Sequence, residues 1–421
     1  MDTRFYVYNH RLIIKENHLI TRKFIVLKGK DGSILFTDFH KYVMPNRRTI
    51  RNVADDGNNR FDFVVKFLNY AFFYRQVGTL EQITVPVVKE YLNAYGAGTL
   101  PGDTKGRTKQ TVERCVASIL DFMDNLSKDR KKRCAFRLED LYRMIPTRDH
   151  RGKIVMRKTP VFDVVYTSKP RDIFRDIPNA AFELLFCHIA QYHERLLMLV
   201  SLSAFSGLRP AEACNVRRED SPLGPGVLFT IQENIVSKIQ IDLREELCLR
   251  SDLKPTGAIK KERMQTVPFI FTDALLHSYN RYMEYLKGKK YESDYGALSV
   301  NSSGKAMTYD AYYQAFHKIV KEEIIPLFLS AEDPEVVNYG RLLIENNISP
   351  HVFRHWYTVQ LVLSGYDNVA ELMEARGDTS PQSALTYLQN KGELEKRYRK
   401  INNEMFDYFA WAAQKRHGEN E

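Results

Sequence analysis

The spacing of apolar residues along the chain changes near residue 51. Before that point apolar and polar residues alternate, as at residues 4–8 and 23–27, whereas after it apolar residues recur every three or four positions. Alternation is typical of a strand with one buried face, and the longer period is typical of a helix with one buried face. The sequence therefore predicts a β-rich arm over residues 1–48, followed by a helical region.

Three helices are predicted between residues 51 and 126. The first has its apolar face over residues 61–72, the second begins after Thr84, and the third has its apolar face over residues 112–123. Thr84 stands where a hydroxyl can accept a hydrogen bond from an unpaired backbone amide at a helix start. We expect these helices to form a small domain, which we place at residues 49–146.

A basic linker is predicted over residues 147–175, before a larger domain at residues 176–421. Basic runs lie at residues 128–133 and 148–158, and the 421-residue chain carries a formal net charge of +10. Such runs are most often part of a solvated surface. If they lie between two domains that encircle a nucleic-acid duplex, they become candidates for contacts to its phosphates. Net charge is an argument about partners, and this one makes an acidic polymer a reasonable partner.

The cysteines and the apolar runs exclude several classes of protein. The five cysteines are odd in number and include no Cys-x-x-Cys pair, so the sequence predicts neither a disulfide framework nor a zinc site. The N-terminus lacks the apolar run of a signal peptide, and the longest apolar stretch, residues 196–205, is too short to span a bilayer. We expect a soluble, cytoplasmic protein without a membrane segment, a metal or another cofactor.

The larger domain is predicted to combine helices with a few strands. Most of the chain after residue 272 has a helical period. The predicted fold class is mostly α with small β elements: a β-rich arm, a helical domain and a mixed α/β domain. The predicted elements of the last are a helix at residues 182–204, a strand at 227–231, a hairpin of 247–253 with 264–270 joined by 254–263, and an amphipathic C-terminal helix at 393–416.

A turn that carries an arginine follows the helix predicted at residues 182–204. Residues 204–212 have the sequence Ala-Phe-Ser-Gly-Leu-Arg-Pro-Ala-Glu, with Pro210 where a first helical turn favours proline. Arg209, beside that helix start, is well placed to hold an anion, because unpaired backbone amides point there too. The simpler interpretation is a surface arginine paired with Glu212, and for this motif alone it is the better one.

Two further motifs lie nearer the end of the chain. Ser349 and Pro350 predict the start of a helix that places His351 and Arg354 on one face. Tyr387 follows in another predicted helix, which is opened by residues 379–381. Taken singly, a His-x-x-Arg pair is usually a polar helix face, and a tyrosine is usually a packing residue.

In order and spacing these motifs resemble those of the tyrosine recombinases, the phage-integrase family. The resemblance is carried by Ala-x-Ser-Gly-x-Arg-x-x-Glu, then His-x-x-Arg, then Gly-x(9)-Tyr, and it covers residues 176–400. It implies that Tyr387 is the nucleophile. It also implies that Arg209 and Arg354 hold the non-bridging oxygens of the scissile phosphate, while His351 assists proton movement. Guanidinium groups suit that role because they stay charged and pair with phosphate oxygens in a bidentate manner.

The resemblance further implies a lysine on a β-hairpin, which acts as general acid to the departing 5′ oxygen. Lys254 matches the family position by its context at the end of the first predicted hairpin strand. Lys260 matches better when residues are counted back from Pro268, and Lys261 is a third candidate. Lys254 is favoured, and Lys260 and Lys261 stay open as alternatives.

One position departs from the family pattern. Nine residues before the tyrosine, where the family usually has His or Trp, this chain has Asp378. A carboxylate there would repel phosphate unless it were protonated or turned away. We expect Asp378 to cap the tyrosine helix, with Arg376 or His355 in contact with the phosphate instead.

The function that the resemblance implies is site-specific DNA recombination, as by the integrase or transposase of a mobile element in a prokaryotic host. DNA would be cut and rejoined through a 3′-phosphotyrosyl intermediate, without metal or ATP. The implied partners are double-stranded DNA, clamped between the helical and catalytic domains, and further copies of the chain in a homo-tetramer on two DNA sites. A role for accessory DNA-bending or directionality proteins stays open, and the protein would be associated with the nucleoid.

Two alternatives compete with this interpretation. The first is a DNA-relaxing enzyme of the type IB topoisomerase kind, which shares the chemistry and acts as a monomer on one duplex. The second is a DNA-binding accessory protein that keeps the fold without catalysis, and Asp378 is the only sequence feature in its favour.

Overall fold

The chain divides into two compact units, Met1–Ile14 with Leu19–Asp172 and Lys15–His18 with Ile173–Glu421. The predicted subdivision into an arm, a helical domain and a linker stays a prediction. Among the described residues, no helix is long and apolar enough to cross a bilayer. The structure, a computed structural model, describes residues 3–14, 17–44, 59–129, 134–148, 152–162, 165–167, 177–291, 294–378, 380–381 and 384.

The N-terminal arm is a three-stranded antiparallel sheet, as its alternating pattern predicts. Strands β1 (Arg4–Ile13), β2 (Leu19–Lys28) and β3 (Ile34–Phe36) lie in sequence order, with Arg4 opposite Lys28. Ile25 on the central strand is fully buried. Its burial sets the register, because a shift of one residue would turn the apolar face outward.

All three helices predicted between residues 51 and 126 are present. Thr84 is the residue before its helix, but its hydroxyl makes no capping hydrogen bond. Buried aromatic side chains such as Phe67, Tyr91 and Phe122 fill the core between the helices. The α-helices among the described residues of this unit are α1 (His40–Val43), α2 (Arg60–Asn69), α3 (Val85–Ala97) and α4 (Lys109–Ser127), and the π-helical turn Tyr70–Tyr74 extends α2.

A β-hairpin that was not predicted follows the helices. Strands β4 (Tyr142–Arg148) and β5 (Ile154–Pro160) pair antiparallel, and the hairpin includes most of the basic run at residues 148–158. The ammonium group of Lys158 lies 4.0 Å from the centre of the Tyr142 ring. Apolar residues of this hairpin such as Met144 and Ile154 are exposed, so the sequence carries no pattern of one buried face.

The second unit is mostly helical, and in one of its helices every residue from 196 to 205 is buried. The single helix predicted at residues 182–204 is wrong, because the chain breaks at His193 (φ −133°, ψ 45°). The nine helices among the described residues of this unit are α5 (Asn179–Tyr192), α6 (Glu194–Phe205), α7 (Pro210–Ala213), α8 (Phe269–Lys287), α9 (Tyr309–Ile319), α10 (Ile325–Leu329), α11 (Pro334–Glu345), α12 (His351–Leu363) and α13 (Val369–Arg376).

A small antiparallel sheet packs with these helices. Its strands are β6 (Val227–Gln232), β7 (Ile235–Leu243) and β8 (Arg263–Thr266), in the order β6-β7-β8. The strand predicted at residues 227–231 is confirmed. The mostly α fold class with small β elements is also confirmed.

The predicted hairpin of residues 247–253 with 264–270 is wrong. Strand β8 pairs with β7 instead. It ends at Thr266, and Pro268 directly precedes helix α8. Leu247 and Leu249 are buried in a small apolar cluster of their own, so their apolar character reflects packing and not a strand. The long connection between β7 and β8 therefore carries all three candidate lysines.

Candidate active site

Arg209 follows a tight turn at the end of α6. Gly207 in this turn has a φ of 66°, and a Cβ atom there would lie 2.3 Å from the ring of Tyr357. Glycine is therefore required on both conformational and steric grounds. Pro210 opens the short helix α7, and Arg209 is its N-cap residue.

Glu212 fixes the orientation of Arg209. Its carboxylate is fully buried and accepts hydrogen bonds from the Arg209 amide (3.1 Å) and guanidinium (3.0 Å). It also accepts from the Arg263 guanidinium (3.0 Å) and the Lys260 amide (3.3 Å). Burial by itself would raise the pKa of Glu212, but the hydrogen bonds and charge of Arg263 outweigh burial and lower it.

Arg354 reaches the same place from helix α12. Only 5% of this residue is exposed, and its guanidinium donates to the carbonyl of Gly207 in the arginine turn. Burial, together with repulsion from Arg209 and Arg376, lowers the pKa of Arg354 below its usual range. An anion placed against this guanidinium would offset the free-energy cost of burying its positive charge.

The anion in that position is the carboxylate of Asp378. Its Oδ1 atom accepts hydrogen bonds from Arg209 (2.6 Å) and from Arg354 (2.7 Å), although 169 and 24 residues separate them from it in sequence. The Oδ2 atom lies 2.8 Å from Nε of Arg376. The carboxylate is thus not turned away from the arginines but lies among three of them, Arg209, Arg354 and Arg376.

The backbone after α13 explains this placement. Gly377 ends α13 with a φ of 62°, in the left-handed region that favours glycine. The next amide, that of Asp378, donates to the carbonyl of Met373 (2.9 Å). The turn therefore points the Asp378 side chain back toward α12 and the Arg209 turn.

The three candidate lysines differ in their relation to this cluster. The ammonium group of Lys261 donates to the backbone carbonyl of Asp378 at 3.4 Å. Lys260 is exposed and contacts the cluster through its backbone amide, while Lys254 is exposed and its amide donates to Asp252. Lys261 is thus the one whose ammonium group has a hydrogen bond to the cluster.

The remaining predicted residues are less well placed or lie outside the described residues. His351 is exposed in the first turn of α12, one turn before Arg354, and His355 is half-buried on the same helix. Tyr387 and the predicted helix at residues 393–416 fall outside the described residues. Whether Asp378 also caps the tyrosine helix is therefore still a prediction.

Arg263 belongs to the cluster and was not predicted from the sequence. It is the first residue of β8, and 62 lysines and arginines in the chain leave no signal that singles it out. The cluster joins Arg209, Arg263, Arg354 and Arg376 with Glu212 and Asp378, so four positive charges face two negative ones. The excess of two positive charges suits a phosphodiester, which carries a single negative charge.

Replacement of Glu212 by glutamine should destabilise the protein by about 3–5 kcal/mol, because two buried guanidiniums would lose their shared counter-charge. Urea denaturation followed by circular dichroism measures the difference. The folded pKa of Glu212 is lowered, so its contribution is complete at neutral pH and falls away only below the usual value of 4.5.

Glu284→Gln is the matched control, since 76% of that side chain is exposed in a surface pair with Lys287. It should leave stability nearly unchanged. An equal loss in the two variants, or no loss for Glu212→Gln, would show that Glu212 does not hold the arginines together.

Comparison with known proteins gives matches in structure only. No protein-family model matches the sequence, and no curated protein matches it. The chain is similar to the XerH site-specific recombinase bound to palindromic difH substrate in a post-cleavage complex, with 16% identity, a TM-score of 0.44, and coverage of 81% of this chain and 78% of that one.

It is also similar to the Tn1549 transposon integrase in complex with transposon right end DNA. That match has 16% identity and a TM-score of 0.44, and it covers 80% of this chain and 94% of the other. A further match, at 14% identity and a TM-score of 0.35, is the XerA recombinase. These three solved proteins are thus a site-specific recombinase, a second recombinase and a transposon integrase.

Proposed function

We propose that this chain is a site-specific DNA recombinase that cuts and rejoins DNA through a 3′-phosphotyrosyl intermediate. The observation that carries the proposal is the convergence of Arg209 and Arg354 on one anionic oxygen, at 2.6 and 2.7 Å. Two guanidiniums held in this way match the non-bridging oxygens of a phosphodiester. Glu212, from the same motif as Arg209, is buried and accepts hydrogen bonds from the guanidiniums of Arg209 and Arg263.

In the proposed reaction, the phenolic oxygen of Tyr387 attacks the scissile phosphorus. A new bond forms between that oxygen and phosphorus, and the bond from phosphorus to the 5′ oxygen breaks. The 5′ oxygen takes a proton and leaves as a hydroxyl, and the strand stays esterified to the enzyme. The 5′ hydroxyl of a partner strand then attacks the same phosphorus, and the bond from phosphorus to the tyrosine oxygen breaks. The bond energy is conserved throughout, so no ATP is consumed.

The arginine cluster lowers the barrier because it is assembled before DNA arrives. Charge that develops on the phosphate oxygens meets donors that need no further reorganisation. Positive charge also favours the ionised form of a phenol, whose ordinary pKa is about 10. His351, one helical turn from Arg354, assists proton movement at the same phosphate.

Lys261 is our choice for the general acid. Its ammonium group is the one that is hydrogen-bonded at the cluster, whereas Lys254 is exposed and contacts Asp252 through its backbone. A flexible lysine on the long connection between β7 and β8 can follow the departing oxygen. Lys254 and Lys260 are the alternatives.

Asp378 acts in this scheme as an internal substitute for the phosphate. It holds the guanidiniums in position while DNA is absent, and the scissile phosphate takes its place when DNA binds. Exchange of one anion for another avoids leaving buried arginines without a counter-charge, which would be costly.

The complete reaction needs double-stranded DNA and four copies of the chain on two sites. A type IB topoisomerase would use the same chemistry on one duplex as a monomer. Formation of a complex that holds two DNA sites, seen on a native gel, distinguishes the two functions. A DNA-binding protein without catalysis would form no covalent intermediate with either substrate.

We expect a covalent protein–DNA adduct on a suicide substrate that is nicked near the cleavage point. The adduct should survive denaturation, form in the presence of EDTA, and be absent for Tyr387→Phe. Denaturing gel electrophoresis with labelled DNA measures it. If the adduct persists in that variant, another tyrosine such as Tyr398 is the nucleophile.

Arg209→Ala serves as the companion variant in this assay. It should still bind DNA but form the adduct about 10²–10³-fold more slowly, because one preorganised donor to the phosphate is lost. An unchanged rate would remove Arg209 from the active site.

Lys261→Met should slow cleavage about 10²–10⁴-fold with little change in DNA binding. A substrate with sulfur in place of the departing 5′ oxygen should restore the rate, because a thiolate leaves without being protonated. Lys254→Met and Lys260→Met are the matched controls and should cleave normally. Rescue by sulfur in one of those variants, and not in Lys261→Met, would move the general acid to that lysine.

Asp378→Asn should bind anions more strongly than the natural protein, because the competing carboxylate charge is gone. We expect inorganic phosphate to raise the melting temperature of this variant and to change that of the natural protein much less. Adduct formation at subsaturating DNA should also be faster, by several-fold. Thermal melts and the suicide-substrate assay provide the two measurements.

Asp367→Asn, at an exposed position between α12 and α13, is the control and should match the natural protein in both assays. A folded Asp378→Asn variant that cleaves more slowly and gains no response to phosphate would contradict the exchange. Asp378 would then be needed in place during catalysis.

A further inference from the structure

A second polar cluster in the same unit is built from two histidines and a glutamate. The Nε2 atoms of His188 and His193 each lie 2.7 Å from the same oxygen of Glu323, which is 135 and 130 residues away in sequence. One potential ligand atom from each residue lies within 4.8 Å of the other two. It is the one such group of three or more His, Cys, Asp or Glu residues among those that the structure describes.

We propose that His188, His193 and Glu323 bind a divalent transition-metal ion of the zinc class. Zinc prefers imidazole nitrogen and carboxylate oxygen in a tetrahedral arrangement, and three protein ligands leave its fourth position to water. At metal–ligand bonds of about 2.0–2.1 Å, tetrahedral ligand atoms lie about 3.3 Å apart. Each histidine Nε2 atom would have to move about 0.6 Å farther from the Glu323 oxygen to admit the ion.

The local backbone brings the three side chains together. His193 lies at the break between α5 and α6, so its ring turns toward that of His188, with 5.6 Å between the ring centres. Glu323 lies in the π-helical turn Val320–Ile324, which joins α9 to α10. Turns of this kind are rare in proteins, and those that occur frequently lie at functional sites.

The Glu323 carboxylate is in the form that a metal requires. Hydrogen bonds from His188 and His193 lower the pKa of Glu323, so its carboxylate is ionised at neutral pH. A metal takes a neutral imidazole with a lone pair at the binding nitrogen, so the proton that each Nε2 atom shares with Glu323 must leave or move to Nδ1 when the ion binds. The Glu323 side chain is 38% exposed and those of the histidines 16% and 24%, so an ion and a water molecule have access.

The role we assign to the ion is structural and not catalytic. It would tie the corner between α5 and α6 to the helix that contains residues 320–324. Helix α6 starts next to His193, and the turn that holds Arg209 follows its other end, about 18 Å away for 12 residues at 1.5 Å each. The proposal is therefore independent of the recombinase reaction, which uses no metal.

The test uses the full-length chain with any affinity tag removed, after dialysis against EDTA and then against metal-free buffer. Titration with Co²⁺ should give the visible absorption bands of tetrahedral cobalt and saturate at one ion per chain. Zn²⁺ should abolish these bands by displacement. At a hundred-fold excess over its dissociation constant, Zn²⁺ should raise the melting temperature by about 5–10 °C.

Glu323→Gln and His193→Ala should lose the cobalt bands and the zinc-dependent rise in melting temperature. Glutamine is nearly the same shape as glutamate, so Glu323→Gln separates metal binding from folding. His277→Ala, at an exposed position on α8, is the matched control and should bind as the natural protein does. The proposal fails if the natural protein gives no cobalt bands, or if Glu323→Gln gives the same bands and the same rise.

Discussion

Two buried carboxylates, those of Glu212 and Asp378, hold four guanidinium groups in one place. Charged groups without partners are costly to bury, and arginine cannot escape the cost by losing its proton. Each carboxylate therefore serves more than one arginine. This sharing fixes the relative positions of the turn after α6, helix α12, the end of α13 and the start of β8.

The same arrangement explains why the site can hold an anion before a substrate arrives. Catalysis by fixed charges depends on donors that are already oriented, since reorientation would cost energy at the moment of reaction. Here the buried Glu212 carboxylate orients the guanidiniums of Arg209 and Arg263, and the Asp378 carboxylate occupies the position of the anion. In our proposal the first carboxylate is permanent and the second gives way to a phosphate.

Helix α6 connects the arginine cluster to the histidine cluster. Its residues from Leu196 to Phe205 are buried, so it has little freedom to move relative to the helices packed around it. A buried helix of this kind transmits position from one end to the other.

Much of the fold was accessible from the sequence, because local patterns determine local structure. Alternation in the arm, the apolar faces of the three helices and the strand at residues 227–231 were all read correctly. The errors came where an apolar run had another cause. Leu247 and Leu249 are apolar because they pack in a small cluster. Residues 182–204 contain a break at His193, whose side chain contacts Glu323, 130 residues away.

The sequence by itself pointed to Arg209 in its glycine turn and to Arg354, which the structure brings together at one carboxylate. Only the tertiary structure decided that Asp378 lies between the two arginines and that Arg263 joins them. It also decided that Lys261 is the lysine whose ammonium group is hydrogen-bonded there. The physical reason is that these partners are far apart in the chain. Their attraction depends on distance in space, whereas the periodicity of a sequence records only which face of each element is buried.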